Sequence, residues 1–495
     1  MNKYSDKKNS LWLSIQFITS IVIAFINLKL NLLNFGENIF GIWVLFSSFW
    51  GVGSILDFGF GTGIVRFIAQ LSVNDNKEEI LRLIFTGLII FIIGGTLILI
   101  AGNIVSNYLF FNNNNLIPSD YFKLAKKVFF LLGINFFIQY LFSFFRSILD
   151  GLNNFVLSSK MLIIHNILGF ASVLTALTFN LDLFSLTIFY TISSASICCF
   201  TFIILLIKYR LFNFNISLFS LTYFKKVFKY SFSIQIASLT GAFIDPAIKY
   251  IIGNFGSLSS VTYFEIARRF TIAIAGLFNT TFKNYLPKVS ILTSAADQRE
   301  FLLKDASKLS KLGVTYSGFM FGICQVFLAA VIKFWFGYDE VILIFMITSL
   351  AEIVNAFGYS LYVFFMGIGK AGILAVIQVT NFIATITILI IGFKVFNNYL
   401  GLLGYFASVI FANFLMLFYL KKLLKISYTE FLSRANFNKL LYLIFLTMFT
   451  LIIVYLNIIN VFACLTLLSI VSLFLFYKDL KNYSYLLLKL NEIAK

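Results

Sequence analysis

Apolar residues in this chain run in long blocks, without the alternation of a half-buried strand or the single stripe of a surface helix. Fourteen such blocks can be marked, near 10–33, 40–70, 81–105, 123–149, 155–178, 184–207, 226–252, 258–287, 309–336, 340–366, 371–393, 399–420, 438–456 and 460–477. A helix needs about 20 residues to cross roughly 30 Å of hydrocarbon, so each block is a candidate span. Only short polar turns separate them. The pattern predicts an all-α polytopic membrane protein with 14 spans and leaves little chain for a soluble catalytic domain.

Composition agrees. Of 495 residues, 60% are hydrophobic and 12% charged, against about 25% charged in a soluble domain. The formal net charge of +18 would suit a nucleic-acid partner, but its placement points to topology. Orientation follows Lys and Arg in short loops. With the N-terminus and its Lys3, Lys7 and Lys8 in the cytoplasm, the basic clusters all fall inside: Lys208 to Lys229, Lys283 to Lys311, Lys421 to Lys439, and the tail through Lys495. Outer turns such as 111–121 and 179–183 carry almost no base, Lys123, Lys126 and Lys127 being the exception. No nucleic-acid partner is expected. The first apolar block lacks a small-residue cleavage site, which predicts a retained first helix. Cys198, Cys199, Cys324 and Cys464 lie in predicted spans without metal-ligand or disulfide spacing, so no metal or cofactor is expected.

The chain repeats itself at a spacing of about 220 residues. Ser14-Ile15-Gln16 recurs as Ser233-Ile234-Gln235, Phe25-Ile26-Asn27 as Phe243-Ile244-Asp245, and Asn34-Phe35-Gly36 as Asn254-Phe255-Gly256. One lysine lies between the later pair in each copy, Lys29 and Lys249. Each copy holds six blocks. Six is even, so both copies enter the membrane in the same sense, as parallel repeats. The expected organisation is an N-terminal six-helix lobe (1–215), a C-terminal six-helix lobe (216–425) and a C-terminal helix hairpin with a tail (426–495). The two lobes would enclose a central cavity, an arrangement suited to alternating access.

Charges inside the blocks are the candidate chemistry, since each costs about 2.5–3.5 kcal/mol at the bilayer centre. Among them are Lys29, Asp57, Arg66, Arg146, Asp245, Lys249, Glu265, Arg268, Arg269 and Glu352. Asp245 and Lys249 are four apart and share a helix face, and Glu265 can reach Arg268 or Arg269. Glu265 neutralises only one of those arginines, and an uncompensated cation there implies water or an anionic ligand. A carboxyl in low dielectric can load and release a proton, which makes Asp57, Asp245, Glu265 and Glu352 the candidates for ion coupling. Pro246 can kink its span. Gly51, Gly53, Gly59, Gly61 and Gly63 suit close helix approach or a bend, and lack the Lys-Ser/Thr of a phosphate loop. The single histidine, His165, is expected to be a hydrogen-bonded packing residue.

The stretch Leu56-Asp57-Phe58-Gly59-Phe60-Gly61-Thr62-Gly63-Ile64-Val65-Arg66-Phe67-Ile68-Ala69, with the preceding Phe40-Gly41-Ile42-Trp43 and the paired turn glycines Gly151 and Gly367, resembles the polysaccharide transporter family. That family includes the Wzx-type O-antigen flippases, in the superfamily shared with MATE exporters and lipid II flippases. The resemblance implies two lobes around a cationic cavity in the bacterial inner membrane. It implies movement of an undecaprenyl-diphosphate-linked oligosaccharide between leaflets for O-antigen or other surface polysaccharide, without enzymatic chemistry. A polysaccharide polymerase and chain-length proteins would be partners, beside membrane lipid. The anionic head group would meet Arg268, Arg269, Lys249 and Lys29, with Arg66 as a further contact. Two rivals stand beside this reading. An ion-coupled multidrug exporter of the same architecture should have an acidic cavity. A membrane polymerase or glycosyltransferase on the same lipid carrier should have a large outer loop rich in charge, whereas the longest outer turn, 107–121, is dominated by Asn112 to Asn115.

If the basic loops are cytoplasmic, reporter fusions at Asn113 and Ser294 report opposite sides of the membrane. The same side for both breaks the topology.

Overall fold

The computed structural model describes residues 3–53, 60–73, 77–112, 116–209, 218–283, 307, 310–367, 371–396, 398–424, 437–456 and 460–493. Asp57 and the fusion sites Asn113 and Ser294 lie outside these residues. The described residues form helices and no strand. Among the described residues nine helices are each long and apolar enough to cross a membrane, and a tenth span results if one bent pair is counted as one. The chain is an all-α integral membrane protein. All fourteen apolar blocks fall on helix wherever they are described.

The first two blocks differ from expectation. A single helix, α1 (Lys3–Gly53), runs through both. A straight α-helix of that length would reach roughly 75 Å at 1.5 Å per residue, far beyond the hydrocarbon. It is broken at one residue, Gly36, at φ 68° and ψ 178°, a conformation essentially closed to side-chain-bearing residues. The expected turn is thus one glycine. In the second block, α1 is described to Gly53 and α2 (Phe60–Val73) from Phe60, with Gly61 and Gly63 in its first turn.

Contacts along the chain define two compact units, residues 1–262 and 263–495. The first holds α1, α2, α3 (Lys77–Ser106), a π-helical extension (Asn107–Phe111), α4 (Ser119–Gly151), α5 (Phe155–Thr178), α6 (Leu183–Ile207) and α7 (Leu221–Phe255). Helix starts are set by short polar side chains: Asn154, Asp182 and Ser220 accept from the backbone N–H of Leu157, Ser185 and Tyr223, covering donors that a helix leaves open. Trp50 anchors the core. Its ring lies against Gly102 of α3 and Gly133 of α4, where a Cβ would come within 2.6 and 2.7 Å of it. It stacks on Phe136 at 5.5 Å and donates through Nε1 to the Phe129 carbonyl at 3.1 Å. The two glycines make room for the indole. α7, which the repeat places at the head of the second lobe, packs in this unit on α1, α2 and α3.

The second unit contains most of α8 (Leu258–Lys283), then α9 (Ser310–Ile323), α10 (Gln325–Phe336), α11 (Asp339–Gly367), α12 (Ala371–Phe396), a 3₁₀ turn (Tyr399–Leu402), α13 (Leu403–Leu424), α14 (Phe437–Tyr455) and α15 (Val461–Ile493). The ninth block is a broken span. α9 ends in a π-helical stretch (Gly318–Ile323) and bends by 44° into α10. A break frees backbone carbonyls, which have no water to turn to in hydrocarbon. Ser469 of α15 supplies the donor: its Oγ lies 3.2 Å from the Gly322 carbonyl and 2.9 Å from that of Ile323. Gly318 lets the Phe476 ring of the same helix lie against the π-helical turn.

Gly36→Ala should lower the stability of the detergent-solubilised protein by about 1–3 kcal/mol, because the strain exists even though nothing crowds the site. Gly51→Ala, at an uncrowded position of the same helix, should leave stability unchanged or raise it by up to about 1 kcal/mol. Thermal unfolding of the two variants checks this; equal melting temperatures would show that Gly36 is not a conformational requirement.

Candidate functional site

The charges that the sequence places in the membrane are brought together in pairs. In the first unit, Asp245 and Lys249 lie one turn apart on α7, on either side of Pro246 in chain order at the point where the helix lacks one backbone donor. Lys249 is 4% exposed. Its Nζ is 2.6 Å from Asp245 Oδ2 and donates to Ser48 Oγ of α1 at 2.8 Å. The ammonium therefore satisfies two of its three donors within the unit. Thr262 at the start of α8 donates to the Glu37 carbonyl just beyond the Gly36 break, at 2.7 Å.

In the second unit, α8 carries Glu265, Arg268 and Arg269. Arg269 Nε donates to Glu265 Oε1 at 2.6 Å, one of the two local pairings that the spacing allows. The sequence supplies no local partner for the other arginine. The fold supplies a distant one: Arg268 Nη1 pairs with Glu352 Oε1 of α11, 84 residues along the chain. Asn355 donates to the other Glu352 oxygen at 3.4 Å, and the Arg268 guanidinium lies 5.6 Å from the Tyr405 ring centre on α13, within cation–π range. The expectation that one arginine lacks a carboxylate is thus corrected by tertiary packing. Lys249, Arg268 and Arg269 are matched one for one by Asp245, Glu352 and Glu265.

The two arginine pairs differ in exposure. The Arg268 side chain is 15% exposed and that of Glu352 is 7%; the Arg269 side chain is 41% exposed. Arg269 binds its carboxylate through Nε, and among the described residues its two terminal nitrogens take no hydrogen bond. Arg269 is thus a guanidinium oriented by Glu265 with its terminal donors open. Of the other expected cations, Lys29 is half-buried on α1 and Arg66 is exposed on α2. Asp57 lies outside the described residues.

One polar cluster was not singled out by the sequence. It ties α4, α5 and α6 together. Asn135 Nδ2 donates to Ser194 Oγ at 3.1 Å, Gln139 Nε2 donates to Asn135 Oδ1 at 2.5 Å, and His165 Nε2 lies 3.2 Å from Ser194 Oγ. Asn135, His165 and Ser194 are all buried. The i,i+4 spacing of Asn135 and Gln139 was legible; their convergence on α6 was not. No group of three or more His, Cys, Asp or Glu able to hold a metal occurs among the described residues.

No protein-family model matches the sequence, and no curated protein matches it. Solved structures do match in fold. An inward-facing multidrug resistance MATE family transporter of the MOP superfamily gives a TM-score of 0.68 at 16% identity, covering 84% of this chain and 98% of that one. The chain has the fold of the MOP-superfamily transporters. Lipid II flippase MurJ, in an inward closed conformation, gives 0.62 at 18% identity over 95% of this chain and 99% of its own. An outward-facing MATE transporter gives 0.57 at 16% identity, with 83% and 92% covered. Membership of the MOP fold agrees with the expected superfamily architecture.

Removing one member of a buried ion pair strands the other, at about 3–5 kcal/mol. Glu352→Ala should therefore cost that order of stability, whereas Glu265→Ala should cost about 1 kcal/mol or less, because Arg269 is partly exposed. The double change Arg268→Met with Glu352→Leu should recover most of the loss. Thermal unfolding in detergent reads all three, and equal losses for the two single variants would refute the difference in burial.

Proposed function

We propose that this protein is a flippase for an undecaprenyl-diphosphate-linked oligosaccharide. It carries the head group from the cytoplasmic to the periplasmic leaflet of the bacterial inner membrane by alternating access, with both termini cytoplasmic. The product serves O-antigen or another surface polysaccharide, and the polymerase and chain-length proteins of that assembly act after it. No bond is made or broken in the step.

The observation that carries this reading is Arg269. It is a guanidinium well inside a helix of a transporter fold, held through Nε by Glu265, with its terminal nitrogens open. Those nitrogens form the fork that binds phosphate oxygens in pairs. Arg268 is committed to Glu352 and Tyr405, and Lys249 to Asp245 and Ser48. Arg268 is therefore read as shaping the site around Arg269, while Lys249, Lys29 and Arg66 are read as head-group contacts carried by the first unit itself. The extent of the likeness supports the same reading. The lipid II flippase covers 95% of this chain, against 84% and 83% for the two MATE transporters. A second reading, an ion-coupled multidrug exporter, is favoured by the higher TM-score of the inward-facing MATE transporter.

In a flippase-deletion strain, at matched protein level, Arg269→Ala should reduce surface polysaccharide about 10- to 100-fold, the worth of one hydrogen-bonded charge at about 1.5–3 kcal/mol. Arg269→Lys should retain part of it. Full polysaccharide from Arg269→Ala overturns the assignment. A wild-type chain that restores no polysaccharide but protects a drug-sensitive strain establishes the exporter instead.

A further inference from the structure

The cluster between α4, α5 and α6 has an uneven hydrogen-bond balance, and the imbalance falls on one atom. Ser194 Oγ donates to the Tyr190 carbonyl one turn earlier at 3.0 Å. With its single proton so placed, the hydroxyl oxygen accepts from Asn135 Nδ2 at 3.1 Å and from His165 Nε2 at 3.2 Å. His165 Nε2 must then carry a hydrogen. The other ring nitrogen, Nδ1, is buried and has no hydrogen-bond partner among the described residues. The network thus holds the neutral imidazole with Nε2 protonated and aims a basic lone pair into the interior.

The surroundings of that lone pair define what it can take up. Rings of Phe142 and Tyr190 lie 5.5 and 6.4 Å from the imidazole. α5 packs against α1, α4 and α6. From α4, the charge of Arg146 acts on the imidazole, and Asp150 one turn on acts on Arg146. α6 contributes the Tyr190 phenol and the Cys198 and Cys199 thiols, and bears no charge along its length. Beyond its charged N-terminal turns, α1 bears Lys29 and Glu37, and Lys160 of α5 itself lies against the Trp12 ring. Among the described residues no carboxylate pairs with the imidazole and it belongs to no group of side chains able to hold a metal, so the chemistry offered is that of a proton and not of a metal cation. The adjacent Asn166 is the side chain that an Nδ1–H would engage. Its Nδ2 already donates to Ser20 of α1 at 2.8 Å. A proton on Nδ1 would therefore act on the α1–α5 bridge.

We propose that Nδ1 of His165 is the proton-binding site of the first unit and that its occupancy is coupled to transport. The coupling rests on the flippase reading; the proton site does not.

His165 is the only histidine in the chain, so the full-length protein, purified through a tag without histidine and labelled with ¹⁵N-histidine, gives one imidazole signature. Near neutral pH it should show a protonated Nε2 and a bare Nδ1, and both nitrogens should become protonated as pH falls through an acidic range that the titration itself fixes. Ser194→Ala, which removes the Nε2 acceptor without touching the ring, should abolish the tautomer preference. A protonated Nδ1 near neutral pH, or a signature that does not change across the range, overturns the site whatever the protein carries. The coupling is read separately in proteoliposomes with the host's own undecaprenyl-diphosphate-linked repeat unit. Wild-type transport should vary with pH over the same range, and His165→Gln, which can still donate to Ser194, should lose that dependence. An unchanged pH profile in His165→Gln overturns the coupling. A titrating imidazole in a wild-type protein that moves no repeat unit supports the proton site and removes the flippase reading.

Discussion

Hydrocarbon offers no hydrogen bonds, and this governs every polar atom in the chain. Each charge or freed carbonyl at depth must find its partner in the protein. The consequences recur at different scales. Lys249 takes a carboxylate from its own helix and a hydroxyl from α1. Arg268 takes a carboxylate from α11. The broken span takes a hydroxyl from α15. Apolar packing, dense as it is around Trp50 and its aromatic neighbours, fills the space between these polar ties. It does not choose partners as they do, since lipid tails are as apolar as the side chains they would replace.

Much of this was legible in the sequence, and what was legible shares one property: it is local. Block length gives the helices. Helical spacing gives Asp245 with Lys249 and narrows Glu265 to Arg268 or Arg269. The gap between the blocks ending at 33 and beginning at 40 marks a turn, although only the dihedral angles of Gly36 reveal that it is a single residue. The Arg268–Glu352 pair was hidden because 84 residues separate its members and no spacing rule relates them. The Asn135–Ser194–His165 cluster was hidden for the same reason. Its residues are mild polar groups on three helices, unremarkable one at a time. The argument from an unmatched arginine failed because it searched for partners along one helix, while the fold searches in three dimensions.

Pairing also changes what a charge can do. A guanidinium closed by a carboxylate and an aromatic face is a fixture of the site. One that is held through Nε alone is oriented and still has donors to offer. The difference between Arg268 and Arg269 is therefore not one of position along the helix, where they are neighbours, but of which nitrogen the carboxylate occupies. In the proposed reading, two adjacent residues of the same type, 100° apart on a helix, divide structural and binding work.

The tie between Ser469 and the break at Gly322 and Ile323 has a consequence in time. The serine is encoded 147 and 146 residues after the carbonyls that it caps. Chains are synthesised at about 5–20 residues per second, so those carbonyls are made roughly 7–30 seconds before their donor leaves the ribosome. During that interval the ninth span must run straight, closing its own backbone bonds, or draw on water at the insertion site. Unless water stands in for the serine, the bend is set only once α15 is in place, so a helix made much later completes the span.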